Sequence, residues 1–191
     1  LRRNVFGVVL LVMTAWFVGV EQRLLHTDDE LRRGLRVLHW NAPWWTGIDA
    51  DRLVDPIFET DADITVISSY NRLHLNERIR EWLGEARPYR LPPFTVLTRY
   101  PIRGGAVVHT NDDAVELAVL RLDTGEGEIL MLLVDLPSDP MRSRADIATL
   151  VIESLERQGI PKPDIVIGDF NMTRGSHSIA RMFPEHDHAF D

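Results

Sequence analysis

Pro163-Asp164-Ile165-Val166-Ile167-Gly168-Asp169-Phe170-Asn171-Met172-Thr173-Arg174-Gly175 is the stretch on which the fold turns. The β-branched run Ile165 to Ile167 predicts a buried strand. That strand delivers Asp169 and Asn171 at its carboxyl end. Gly168 before them and Thr173-Arg174-Gly175 after them read as turn residues. In an α/β sheet, ligands collect in the crevice outside the carboxyl ends of the strands. A carboxylate at that place can take a proton from water, and a carboxamide can donate to a phosphoryl oxygen. The same pair is also what an Asx-rich turn leaving a strand looks like. Spacing alone leaves both open.

Working backwards, Ile147, Leu150, Val151 and Leu155 recur at helical spacing, and Gly159 ends the pattern. Ser138 or Asp139 is the expected cap of this helix, with Pro140 opening it. Before it, Val115 to Leu122 and Ile129 to Val134 flank Asp123-Thr124-Gly125-Glu126-Gly127, an antiparallel hairpin. Further strands are expected at Ala106 to Thr110, Phe94 to Thr98, Ile64 to Ile67 and Leu35 to Trp40, the last ending at Asn41 before Pro43. Helices are expected over 49–60, where Pro56 weakens the pattern, and over 75–83, with a last short one at 176–182. Hairpins and helical crossovers together predict a layered α/β sandwich with mixed β-sheets.

The chain has 191 residues, a formal net charge of -8 and no cysteine. The acidic balance argues against a broad nucleic-acid-binding face, because phosphate backbones are held chiefly by Lys and Arg. Without cysteine there is neither a disulfide framework nor a thiolate metal site. At the amino end, Val5 to Val20 is uncharged and apolar, and at ~1.5 Å per residue it spans roughly 24 Å. A transmembrane or signal-anchor helix over residues 1–20 is the favoured expectation; a signal-peptide core and a buried helix are the alternatives. Residues 21–34 form a polar linker, and residues 35–191 form the globular domain. An extracytoplasmic domain on a membrane anchor is the expected localisation.

Val37-Leu38-His39-Trp40-Asn41, Asp63-Ile64-Thr65-Val66-Ile67, Val96-Leu97-Thr98-Arg99-Tyr100-Pro101-Ile102 and Gly168-Asp169-Phe170-Asn171 occur in this order. Together with Thr173-Arg174-Gly175-Ser176, they resemble the endonuclease/exonuclease/phosphatase (DNase I-like) superfamily from about Leu35 onward. The resemblance implies metal-dependent phosphoester hydrolysis, by in-line attack of water with Mg²⁺ (or Mn²⁺) neutralising developing charge. It implies that Asp169 positions or deprotonates the water, that Asn171 contacts the scissile phosphate, and that Asn41 helps to organise the metal and the catalytic Asp.

The pattern also departs from the family. Ser68-Ser69 stand where the family has Gln-Glu, so Ser69 occupies the place of the metal-binding glutamate. Asp135, in Val134-Asp135-Leu136, occupies the place of a histidine that assists at the phosphate. The carboxyl-terminal Asp-His pair is not found, so the domain is expected to be truncated before its last strands; His186-Asp187-His188 reads as a surface loop. Two functions follow as expectations. One is a phosphoester hydrolase with a partly degenerate site, acting on a small molecule or lipid head group rather than nucleic acid. The other is a catalytically inactive relative serving as a membrane-anchored binding or scaffolding module.

Overall fold

The computed structural model describes residues 34–42, 50–68, 76–173 and 175–187. The chain divides into two compact units, Leu1–Leu35 and Arg36–Asp191, and every element below belongs to the second. In chain order these are β1 (Val37–Asn41), α1 (Ala50–Thr60), β2 (Ile64–Ser68), α2 (Glu77–Leu83), β3 (Tyr89–Leu91) and β4 (Phe94–Thr98). They continue with β5 (Ile102–Val108), β6 (Glu116–Asp123), β7 (Glu128–Asp135), α3 (Arg144–Arg157), β8 (Ile165–Asp169) and α4 (His177–Met182). No described helix is long and apolar enough to cross a membrane, and the expected anchor at residues 5–20 lies outside the described residues.

The strands make two four-stranded mixed sheets, ordered β1-β2-β4-β3 and β5-β6-β7-β8. Each carries one parallel pair, β1 with β2 and β7 with β8, and antiparallel pairs otherwise. The alternation of side chains along each strand sorts the layers. Leu132, Val134 and Leu136 pack with Ile147, Ala148 and Val151 of α3 in one apolar cluster. Ile67 and Leu97 pack with Val54 and Ile57 of α1 and Ile79 and Leu83 of α2 in another. The opposite faces turn inward, sheet towards sheet, and the sheets meet where β1 and β2 lie against β8 and β3 against β5. The result is a helix–sheet–sheet–helix sandwich.

Several local expectations are corrected. The first helix runs unbroken through Pro56. The α3 helix starts after Ser143, whose side chain accepts from the Asp146 N–H, and not at Pro140. The cap satisfies one of the free amide groups of the first turn, which Ser138 and Asp139 stand too far away to do. Gly104 and Gly105 belong to β5, which begins at Ile102 with a bulge between Ile102 and Gly104. The three-residue strand β3 pairs with β4 in a stretch that proline content alone marks as irregular.

Strand β8 departs most from expectation. All five of its residues are half-buried rather than buried. Among the described residues it is paired on one side only, along β7. Gly168 is not a turn residue but the fourth residue of that strand, with φ 152°. A Cβ added there would lie 1.8 Å from the carbonyl oxygen of Val134, so only glycine lets β8 come this close to β7.

Candidate active site

The close approach at Gly168 fixes the register of the two parallel strands. Val134 pairs with Gly168, and Asp135 pairs with Asp169. Two carboxyl groups therefore leave neighbouring strands side by side, about 4.8 Å apart in backbone spacing, on the face turned towards the other sheet. On the far side of Asp135, its antiparallel partner on β6 is Glu116. A row of three acids crosses the end of the sheet: Glu116, Asp135 and Asp169.

Across the gap, β1 contributes Asn41. Its Nδ2 donates to Oδ2 of Asp169 at 2.6 Å, a contact between residues 128 apart in sequence that ties the carboxyl ends of the two sheets together. The other oxygen of Asp169, Oδ1, accepts from the backbone N–H of Asn171 at 3.0 Å, an Asx turn. That turn holds Asn171 at φ 48°, a left-handed conformation a non-glycine residue adopts only when its surroundings demand it. The Asn171 side chain is fixed in turn, with Nδ2 donating to the Leu136 carbonyl at 2.7 Å. Leu136 also donates its N–H to the Asp169 carbonyl at 2.8 Å, which continues the β7–β8 ladder beyond Asp135. Asp169 is thus positioned from three directions.

Of the residues singled out in the sequence, the structure brings together Asp169, Asn171, Asn41 and Asp135. Ser69 lies outside the described residues, as do Arg174 and His188. Arg142 pairs with Asp112 of the β5–β6 connection, and Arg144 donates to the Pro137 carbonyl at 2.6 Å, so both are committed to structural contacts. Arg99 stacks on Trp82, its guanidinium carbon 4.9 Å from the ring centroid. His186 is not simply a surface-loop residue: its ring packs edge-on against Phe183, and Nε2 hydrogen-bonds the Pro163 carbonyl at 2.8 Å.

Two further polar groups at this end of the sandwich were not anticipated. His39, two residues before Asn41 and on the same face of β1, shares a 2.7 Å hydrogen bond between Nε2 and the Oγ of Ser68. Ser68 is fully buried, which puts its hydroxyl out of reach of a substrate. Burial lowers the pKa of His39, opposed in part by the negative charge of Asp169, and so favours the neutral ring. The period-2 alternation of β1 was the available signal for His39, since it must share a face with Asn41. The hairpin register was the signal for Glu116.

The acids repel one another. Burial, then Asp169, then Glu116 push the pKa of Asp135 up to about 6. Burial alone raises that of Glu116. A cleft of about 840 Å³ opens beside β8, lined by Asp169 and Asn171 and by the apolar Phe170, Ile179 and Phe183. A substrate in that cleft would meet the Asp169 carboxylate and the Asn171 carboxamide on a mainly apolar wall that also carries Thr173, His186 and Asp187.

The donor set can be tested for a divalent cation. Mg²⁺ wants octahedral oxygen ligation from one or two carboxylates plus waters or phosphates. Both oxygens of Asp169 are engaged by N–H donors, and among the described residues no three acidic or histidine side chains are grouped so as to hold a metal ion. The described residues do not by themselves fit Mg²⁺. Asn41 turns its amide nitrogen, a donor, towards Asp169, which is an orienting contact.

No protein-family model matches the chain, and no curated protein matches it. Solved structures do. An endonuclease/exonuclease/phosphatase family protein from Bacteroides thetaiotaomicron is 17% identical with a TM-score of 0.57, covering 79% of this chain and 68% of that one. Truncated TDP2 of Caenorhabditis elegans is 14% identical with a TM-score of 0.55, covering 73% of this chain and 63% of that one. Sphingomyelinase C from Streptomyces griseocarneus is 18% identical with a TM-score of 0.54, covering 78% of this chain and 68% of that one. The chain thus spans less than two thirds of the TDP2 chain it matches. At these identities the likeness is one of architecture, and the chain adopts the DNase I-like fold of the endonuclease/exonuclease/phosphatase superfamily.

Proposed function

We propose that this domain hydrolyses a phosphoester, with Asp169 as the base that takes the proton of the attacking water. The observation that carries the proposal is the 2.6 Å contact from Asn41 Nδ2 to Asp169 Oδ2, which holds one carboxylate, itself part of a cleft's lining, across the junction of two sheets. A carboxylate that accepts one N–H on each oxygen still keeps lone pairs for a water. Asn171, anchored by one amide hydrogen to Leu136, offers the other to a phosphoryl oxygen. A small phosphoester or a lipid head group suits the site better than nucleic acid, because the chain is acidic and the cleft wall is largely apolar. The apolar segment at residues 5–20 would anchor the domain to a membrane, with the domain on the extracytoplasmic side. By family resemblance the cofactor would be Mg²⁺ or Mn²⁺, and the assay below is therefore run with and without them.

One observation favours a second reading, an inactive module that binds rather than cleaves. Three neighbouring acids oppose the approach of a phosphate, and the only charges acting to raise the pKa of Asp135 are like-signed. The two readings separate on turnover of p-nitrophenyl phosphate and bis(p-nitrophenyl) phosphate by the full chain. A hydrolase turns over one of them and loses about 10²–10⁴ in rate on Asp169→Ala. Absence of turnover with each metal and without any selects the binding module.

A further inference from the structure

We propose that Asp135 is the general acid of this site, giving its proton to the leaving oxygen while the neighbouring Asp169 takes one from water. The inference rests on the hydrolase reading and adds to it the second half of the proton inventory. Its basis is the register of β7 and β8, which places the two carboxyl groups side by side on one face, on strands about 4.8 Å apart. Two identical groups so placed do different work when their surroundings differ, and here they do.

Asp169 is supplied with donors, Asn41 Nδ2 and the Asn171 N–H, both of which stabilise the charged form. Asp135 is half-buried and is given no such donor in the hydrogen bonds of the described residues. The titratable groups facing it are Asp169 on β8 and Glu116 on β6, with neutral His39 beyond on β1. Arg142 of the loop leading to α3 and Arg144 at the start of α3 are taken up by Asp112 and the Pro137 carbonyl. Its surroundings therefore favour the protonated acid, and its pKa stands near 6.

The step balances. A bond forms from the water oxygen to phosphorus as the bond from phosphorus to the leaving oxygen breaks. The water proton goes to Asp169, and the proton of Asp135 goes to the departing alkoxide. Transfer of the proton from Asp169 to the adjacent Asp135 restores the starting state, with one ester and one water consumed. No oxidant or reductant is involved.

The test compares two esters of one phosphoryl group in the full chain, one with p-nitrophenol and one with a simple alcohol as leaving group. Nitrophenolate departs without help, whereas an alkoxide needs a proton. Asp135→Asn should cost the alkyl ester about 10²–10⁴ in kcat, leave the nitrophenyl ester nearly unchanged, and abolish a fall in kcat/KM that the wild type shows as pH rises through about 6. Equal loss for both esters, or an unchanged pH profile, overturns the assignment while leaving Asp169 as base. If wild-type chain cleaves neither ester, the hydrolase reading itself fails and the acid role fails with it. Carbon-13 NMR of the carboxyl groups gives a readout independent of turnover: Asp135 should titrate well above the ordinary carboxylate range and move down in Asp169→Asn. An ordinary midpoint for Asp135 overturns the proposal whatever the activity.

Discussion

Strand β7 is two different objects along its length. From Leu130 to Val134 it is buried on both faces, between α3 on one side and the facing sheet on the other. One residue later it presents a half-buried carboxyl beside two others. The first segment is built from aliphatic residues whose burial stabilises the fold by roughly 1.5–3 kcal/mol per side chain. The second lowers stability through like-charge repulsion and partial desolvation. Unfavourable electrostatics gather at the carboxyl ends of β7 and β8, and the hydrophobic middle of the same strands offsets them.

The sharpest way to break this contrast is at the seam between its halves. Gly168→Ala puts a Cβ within 1.8 Å of the Val134 carbonyl, so β8 must separate from β7. Loss of more than about 4 kcal/mol is expected, with collapse of the Asp135–Asp169 pairing, measured by chemical denaturation and by loss of amide protection in Ile165–Asp169. A smaller effect is expected in the supporting half. Leu132→Ala removes a fully buried side chain and should cost about 2–5 kcal/mol, with the fold and the site geometry retained.

At the site end the sign reverses. The folded-state pKa of Asp135 stands above the unfolded value of 3.8, at about 6, so the folded protein holds the extra proton between these values. Stability therefore falls as pH rises through that window and stays level above it. Asp135→Asn should remove this slope and raise stability at neutral pH by about 1 kcal/mol, a figure discounted because the carboxyl is only half-buried. Melting temperature followed from pH 4 to pH 8 checks both. The smallest effect belongs to the exposed Arg121–Glu128 pair of the β6–β7 hairpin, 2.9 Å apart, whose removal by Arg121→Ala should change stability by under about 1 kcal/mol.

The same division explains what could be read from the chain. The aliphatic hairpin of β6 and β7 and the strand leading to Asp169 are local patterns, and they are found close to where the alternation predicts them. That Asp169 and Asn171 stand at the carboxyl end of a strand was legible because strand-end position is itself local. The role of Gly168 was not, since its need for glycine comes from Val134, on a strand 34 residues earlier in the register. Glu116 and His39 were missed for the same reason: each comes to this end of the sandwich only through a strand pairing, which no local pattern announces. The half-buried state of β8 follows from its one-sided pairing, which no property of Ile165-Val166-Ile167 encodes. Pro140 misled because a proline near a helix start is a common cue, whereas Ser143 is the residue whose hydroxyl meets the first free amides.

The central claim is that the carboxylate held between Asn41 and Asn171 acts on a phosphoester. Its most direct test is the hydrolysis rate of a nitrophenyl phosphoester by the full chain, with and without Mg²⁺ or Mn²⁺, in wild type, Asn41→Ala and Asp169→Ala. The account predicts turnover by wild type, a partial loss when Asn41 no longer holds the carboxylate, and a loss of about 10²–10⁴ without Asp169. Equal rates in wild type and Asp169→Ala would contradict it.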